Sequence, residues 1–434
     1  MPFADCPDPS HPATGHPATG HRETGLTRRR FLAGVGATGV AVVGGQAAPT
    51  RVAFAARTTA DAGNTVVFVF LRGGADGLGI LVPNAPSLGL TFLRSVRESL
   101  VPPAAQLVPL DGGGGWALRA AMRPLHDLLW AGGELAFVPA VWAPGVTRSH
   151  FQAERFLEVG GSAGSRSGWL DRVLAELAPG ETFRALAHGG REPISMEGPQ
   201  PCVGMASLAD FVLPGAAAAR AESQAVLSAL YADVAGPLGD DARTALAALG
   251  TADAIRAQTG PRNGAVYPTA GVGRALSDLA SVLRAEVGLR LATVDVGGWD
   301  THTDATRRLD QRLAEVVQAL TAFMTDLGPE RRSRVTVVVQ TEFGRRVAMN
   351  ASGGTDHGTG SLMWLLGGGV AGRAVHGAWR PLNSKADLVL GDVPGLNTMF
   401  DVLGEVVQKR LGVGSLARVF PGHPFAPLGV VRPG

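Results

Sequence analysis

Val335 to Val339 is a short, β-branched, almost unbroken apolar run, and no other stretch limits the possible folds of this chain more. A run without polar alternation fits a strand buried on both faces, as in a parallel sheet covered by helices. Polar and ionisable residues arrive where that strand should end: Gln340, Thr341, Glu342 and Arg345. A Gly-rich loop follows, carrying Asp356 and His357, and a second apolar run spans Leu362 to Leu366. Ligands of open parallel sheets gather beyond the carboxyl ends of the strands. An unpaired charge buried there would cost free energy. The stretch therefore reads as a site carried on a strand end. A polar surface loop is the plainer alternative.

The same pattern recurs along the chain. Val66 to Leu71 is a buried-strand candidate that ends in Arg72-Gly73-Gly74-Ala75-Asp76-Gly77. Those glycines lack the spacing of a dinucleotide fingerprint, so Asp76 reads as a carboxylate at a strand end, or else as a turn former. Trp116 to Trp130 has helical spacing. Leu135 to Val141 is a further strand and leads to Thr147-Arg148-Ser149-His150, before a helix over Gln152 to Leu157. A hydroxyl at a helix start is an N-cap or a nucleophile beside free N–H groups. His150 next to it supplies a base or a metal ligand. Gly168 to Asp171 opens another helix, and the Ala-rich residues from 217 to about 258 read as a helical insertion broken at Gly236-Pro237. Gly271 to Val287 is an amphipathic helix. Leu289 to Val296 is a strand ending in Gly297-Gly298-Trp299-Asp300-Thr301-His302, and a helix over Ala305 to Leu327 follows it. The tail adds a strand and a helix over Thr398 to Leu411. Strands alternating with helices predict a three-layer α/β/α sandwich with a mainly parallel sheet. In such a sheet the polar clusters at Asp76, Ser149 and His150, Asp300 and His302, Glu342, and Asp356 and His357 would meet along one edge.

The amino-terminal part reads differently. Residues 1 to 25 are rich in Pro, Thr, Gly and His and poor in large apolar residues, the composition of a disordered segment. Thr27-Arg28-Arg29-Arg30-Phe31-Leu32 before a mildly apolar stretch reads as a twin-arginine export signal, with Ala53-Phe54-Ala55 as a cleavage site. Residues 1–55 are thus expected to be signal and residues 56–434 one mature domain, exported through the twin-arginine translocase to the periplasm or beyond. Removing five arginines from 39 cations and three acids from 37 leaves 34 of each. That balance gives no basic excess for a nucleic-acid partner. No apolar stretch of the mature part is long enough for a membrane span. Cys202 is the lone cysteine after residue 55 and makes no intramolecular disulfide, so the core must supply the stability.

Three imidazoles and several carboxylates in such clusters suit a divalent ion: zinc, manganese, iron, magnesium or calcium. A metal there would offset the charge of an anionic substrate and activate a water or the Ser149 hydroxyl. Arg72, Arg148 and Arg345 are candidates to clamp a phosphate or sulfate, and equally to hold a carboxylate. The competing reading for His302 and His357 is a pair of buried, hydrogen-bonded histidines.

The segments RGGADG, RSHF, GGWDTH, TEFGR and GGTDHG, in this order and spacing, resemble the domain of unknown function 1501 family of secreted bacterial proteins. The resemblance spans nearly all of the mature part. It implies membership of the alkaline phosphatase and sulfatase superfamily, with an alkaline phosphatase-like fold and a metal site at the carboxyl ends of the strands. Carried over by position, it implies Asp76, Asp300, His302, Glu342, Asp356 and His357 around metal. It likewise implies catalytic roles for Ser149 as nucleophile, His150 and Arg345. Two departures stand out: one residue separates Asp300 from His302 where the superfamily has three, and Glu342-Phe343 replaces an Asp-His pair. They imply one metal or an altered pair, with His150 the candidate for the missing ligand. The implied activity is metal-dependent hydrolysis of a phosphate or sulfate ester, the substrate being a small anionic ester or a sulfated or phosphorylated polymer. The alternative is a non-catalytic protein that binds anions or polysaccharide on the same scaffold. A redox role has only the export route in its favour, because no nucleotide loop, haem motif or cysteine cluster is present.

Overall fold

Alternate residues of Thr65–Leu71 face opposite sides, and each side meets its own core. Val67, Val69 and Leu71 join one apolar cluster, and Val66, Phe68 and Phe70 join another. The whole strand is buried, as its unbroken apolar sequence requires. The computed structural model describes residues 63–433 apart from 162–163, 181, 190–191, 257–259 and 270. The twin-arginine segment, its cleavage site and the Pro-, Thr-, Gly- and His-rich residues 1 to 25 lie outside the described residues.

The strands are β1 (Thr65–Leu71), β2 (Leu81–Pro83), β3 (Leu107–Pro109), β4 (Trp116–Arg119), β5 (Leu135–Trp142), β6 (Ala185–His188), β7 (Val203–Met205), β8 (Leu291–Val296), β9 (Val335–Gln340), β10 (Ser361–Gly367), β11 (Ala374–Val375) and β12 (Asn397–Thr398). The main sheet has the order β11-β5-β10-β9-β1-β8-β6-β7, with β12 also paired to β5. A small antiparallel sheet, β2-β4-β3, stands apart. Within the main sheet β1 pairs parallel with β8 and β9, and β6 pairs parallel with β8 and β7. Only β10 reverses direction, antiparallel to both β5 and β9. One layer of helices includes Gly271–Arg284 and Ala305–Arg332, whose apolar residues join the Val67 cluster. The opposite layer includes Trp169–Glu176 and Met399–Leu411, which join the Phe68 cluster. The protein is thus a three-layer α/β sandwich with a mainly parallel sheet, as the alternation of strands and helices implies.

Local chemistry explains the boundaries. The Thr398 hydroxyl accepts the Asp401 amide and caps the Met399–Leu411 helix, which ends at Gly412 in a left-handed conformation. The long helix beginning at Ala305 is interrupted by Gly328, at φ 65° and ψ 170°, just before Pro329. One expectation fails. Trp116 to Trp130 is not a single helix: Trp116–Arg119 is the centre of the small sheet, and the helix is Arg123–Leu129. Helical spacing over four residues cannot outweigh the two strand neighbours that tertiary structure supplies. The Ala-rich residues form two helices, Ala217–Tyr231 and Pro237–Arg256, separated at Gly236 with φ 83°. No helix of the described residues is long and apolar enough to cross a membrane. Cys202 is buried beside Met196.

Near Cys202, burial first, and then the charges of Glu197 and Asp171, push the Glu192 carboxyl from 4.5 up to about 7. Raising a carboxyl pKa on folding means that the folded state holds the proton more tightly. Its contribution to stability is therefore fully present below pH 4.5 and is lost as pH rises through about 7. Relative to Glu192→Gln, the wild-type denaturation midpoint should fall between those two pH values. Parallel profiles for the two proteins would contradict this.

Candidate metal centre

The reversal of β10 assembles the site. Residues leaving β1, β8 and β9 reach one edge of the sheet, as the parallel pairing requires. Asp356 and His357 precede β10, and only because that strand runs antiparallel do they enter at the same edge. Isolated bridges between Arg345 and His357, and between Thr303 and Gly353, tie the loops together.

Arg345 holds this edge in place. Its guanidinium is fully buried. Nε donates to the Gly74 carbonyl at 2.6 Å and Nη1 to the Thr355 carbonyl at 2.9 Å. Nη2 donates to the carbonyls of Gly73 and Trp299 and to Asp300 Oδ1, the last at 2.6 Å. Three strand-end loops thus share one cation. Burial pushes the Asp300 carboxyl up, but hydrogen bonding to Arg345 and its positive charge leave it net below the usual range. With its donors committed in this way, Arg345 positions the site rather than clamping an anion. The other two candidate arginines are also engaged. Arg72 pairs with Glu154, Glu158 and Asp295, and Arg148 pairs with the buried Asp392.

Three imidazoles surround Asp300. His302 Nε2 lies 3.0 Å and His357 Nε2 3.2 Å from Asp300 Oδ1, and the two Nε2 atoms are 2.9 Å apart. His150 Nε2 lies 3.6 Å from Asp300 Oδ2 and is buried without a hydrogen-bond partner. His150, Asp300 and His357 offer ligand atoms all within 4.8 Å of one another. Ligands about 2.0–2.2 Å from a tetrahedral ion stand roughly 3.3–3.5 Å apart, so His150, Asp300 and His357 could hold a cation, while His302, outside that group, meets His357 and Asp300. Phe343 is fully buried and packs against two of the rings, 4.9 Å from His150 and 4.8 Å from His357 between ring centroids.

Each ring is also held from behind. His150 Nδ1 faces Glu342 Oε1 at 2.6 Å, His302 Nδ1 faces Asp356 Oδ1 at 3.2 Å, and His357 Nδ1 faces the Arg148 carbonyl at 2.8 Å. Glu342 is fully buried and also accepts the Gly73 amide at 2.8 Å. Burial pushes its carboxyl up, and the hydrogen bonds from His150 and from backbone amides bring it net below the usual range. The hydrogen bond to Glu342 raises the pKa of His150. Asp356 lies below its usual value because Asn350 and His302 hydrogen-bond to it. Glu154 joins His150 and Glu342 in a second possible ligand group. It is already paired with Arg72 at 2.9 Å, which lessens its appeal to a cation.

The remaining candidates are placed as follows. Asp76 is buried in an ion pair with the buried Arg97, which occupies its carboxylate. Ser149 precedes the helix His150–Glu158 in extended conformation and its side chain makes no capping bond, so the hydroxyl stays exposed at the helix start. Asn350 had no sequence signal, yet it organises the loop. Its amide donates to the His302 carbonyl and to Asp356, while its oxygen accepts from Ser352 and Gly354. Gly354 has to be glycine, since a Cβ there would stand 2.2 Å from the His302 carbonyl oxygen.

A family model described as "Protein of unknown function (DUF1501)" matches residues 141–420. No curated protein matches the chain. Among solved structures, the PsFucS1 sulfatase from Pseudoalteromonas sp. aligns at 12% identity with a TM-score of 0.31, covering 85% of this chain and 73% of that one.

Arg345→Met removes the shared cation and leaves four carbonyls and Asp300 without their donor. Unfolding in urea should show a loss of about 3–5 kcal/mol. A loss within the ~0.5 kcal/mol of an ordinary surface change would contradict the role given to Arg345.

Proposed function

Since the chain belongs to the DUF1501 family of proteins of unknown function, we propose that it is an exported, metal-dependent hydrolase of phosphate or sulfate esters. The observation that carries this reading is the convergence of His150, His302, His357 and Asp300 at one sheet edge, with His150 Nε2 buried and unpartnered. Those four residues would hold the cation. When bound, the cation would supply charge to polarise the ester and offset its negative oxygens. Ser149 is the nucleophile in this reading. Its hydroxyl is exposed and uncapped, and the unpaired amides of the first helical turn favour negative charge beside it. Arg72 and Arg345 are spent on internal partners, while Arg148 pairs with Asp392 through Nη2 alone and is partly exposed, so the charge of the substrate falls to the metal, that helix start and the free side of Arg148. Arg308, exposed and donating to the Asp300 carbonyl at 3.4 Å, is the nearby cation best placed to help.

Asp300 and His302 are 46% and 41% exposed, so the site is open rather than enclosed. An open edge suits the end or side of a phosphorylated or sulfated polymer as well as a small ester. Export by the twin-arginine route, which carries folded proteins, would let the metal be loaded before translocation. A second reading keeps the scaffold without turnover, as a binding protein for anionic polymers. The commitment of Asp76 to Arg97 and of Glu342 to His150 favours it, because both carboxylates are withdrawn from a second metal.

The purified mature protein should contain stoichiometric divalent metal, and the double variant His302→Ala/His357→Ala should lose it. Metal retained in that variant would remove the cluster from consideration. On a panel of phosphate and sulfate esters, Ser149→Ala should lose turnover while keeping its metal. Unchanged turnover would make water the attacker, and no turnover by the wild type on any ester would favour the binding protein.

A further inference from the structure

Phe151 follows His150 in the first turn of the helix His150–Glu158 and is 88% exposed, so its ring touches almost nothing in the protein. Leu390 is 81% exposed at the tip of the turn from Val389 to Asp392, and Val389 beside it is exposed too. Side chains this bare stand out from the surface, since the walls of a groove would shade them. The turn is set against the histidine edge. Val389 and Asp392 exchange backbone hydrogen bonds, and the Val347 amide donates to the Gly391 carbonyl at 3.1 Å. The buried Asp392 carboxylate accepts from Thr359 at 2.8 Å and pairs with Arg148, three residues before Phe151. One ion pair thus links the segments that carry the two apolar points.

The backbone at Leu390 has φ 54°, and Gly391 follows at φ 88°. Two central residues with positive φ belong to the tight hairpin turn that favours Asn-Gly. A leucine there bears a left-handed strain that Asn or Gly would avoid, and it gains no burial in return. Contact with something apolar outside the protein accounts for such a side chain, where folding does not. The surroundings are cationic. Arg148 and Arg346 are partly exposed, and Lys385 is exposed in the short helix before the turn. The acids of the same segment are occupied: Asp392 is buried, and Asp387 accepts the Asn383 and Ser384 amides. Asp300 and Asp356 are faced by His302. We propose that Phe151, Val389 and Leu390 enter an anionic lipid surface, with Arg148, Arg346 and Lys385 meeting its headgroups, so that the histidine edge lies at the membrane interface. Protruding apolar tips among cations suit a deformable lipid layer. A hydrophilic polyanion would meet the cations but leave the Leu390 tip without an apolar partner. Such docking needs no turnover. In the hydrolase reading it brings phosphate and sulfate esters of lipid headgroups to the site.

The test is flotation of the full chain with vesicles of phosphatidylcholine and phosphatidylglycerol, and with phosphatidylcholine alone. The wild type should partition more tightly onto the anionic vesicles, and the gap should close in high salt. Phe151→Ser and Leu390→Asn should each lower the partition constant about tenfold or more, the loss expected when an apolar side chain is no longer buried. Asn suits positive φ, so Leu390→Asn should melt no lower than the wild type, which separates lost binding from lost fold. Val266→Ser should partition like the wild type. It removes a side chain 83% exposed, next to the Tyr267 that bonds Asp326 near the far end of the helix Ala305–Arg332. The added fluorescence of Phe151→Trp should be quenched by brominated phosphatidylglycerol, which reads insertion at this residue even where another part of the chain also binds. No flotation of the wild type, or an added tryptophan that brominated lipid leaves unquenched, would overturn the proposal. Equal partition onto neutral vesicles, or an equal loss in Val266→Ser, would overturn it too. Self-association that Phe151→Ser and Leu390→Asn abolish, without flotation, would overturn it in favour of a second copy of this chain. Flotation with no ester turned over leaves the lipid surface standing and removes the hydrolase. Turnover of a soluble ester with no flotation does the reverse.

Discussion

The buried guanidinium of Arg345 is the constraint on which the sheet edge depends. Loops leaving β1 and β8 and entering β10 have no reason of their own to approach one another, because each carries unpaired carbonyls that would rather face water. Arg345 satisfies the carbonyls of Gly73, Gly74, Trp299 and Thr355 and the Asp300 carboxylate at once. A lysine has too few donors and no planar fork to do this. The loops that carry two of the three histidines are thereby fixed to a rigid sheet. Glu342 extends the same logic to the third by joining the Gly73 amide to His150.

Much of this was legible in the sequence, because buried strands announce themselves by unbroken apolar runs and their ends by sudden polarity. Val66 to Leu71, Leu135 to Val141 and Val335 to Val339 all fall in strands of the main sheet, and Leu289 to Val296 runs two residues ahead of β8, which starts at Leu291. The direction of β10 was not legible, since an apolar run has no polarity of its own, yet that direction brings Asp356 and His357 to the site. The fate of Asp76 was equally hidden. Its partner Arg97 lies 21 residues away, and nothing in the spacing joins them. The arginines show the same limit: sequence places a cation near a site, but only packing says whether its donors are already taken.

Ionisable groups at this edge divide by partner rather than by type. Asp76 and Glu342 are buried and held by protein cations or hydrogen bonds, so they serve the fold and the orientation of other groups. Asp300 is partly exposed and faces three imidazoles, so it serves the site. That division leaves Asp300 as the partly exposed carboxylate that His150, His302 and His357 face. Ser149, next to His150, stays exposed at the helix start.

Anomalous diffraction from crystals soaked in zinc tests the central claim most directly. The account requires one strong peak, about 2.0–2.2 Å from the Nε2 atoms of His150, His302 and His357 and from an oxygen of Asp300. A peak at Asp76 or between Glu154 and Glu342, or no peak at this edge, would contradict it.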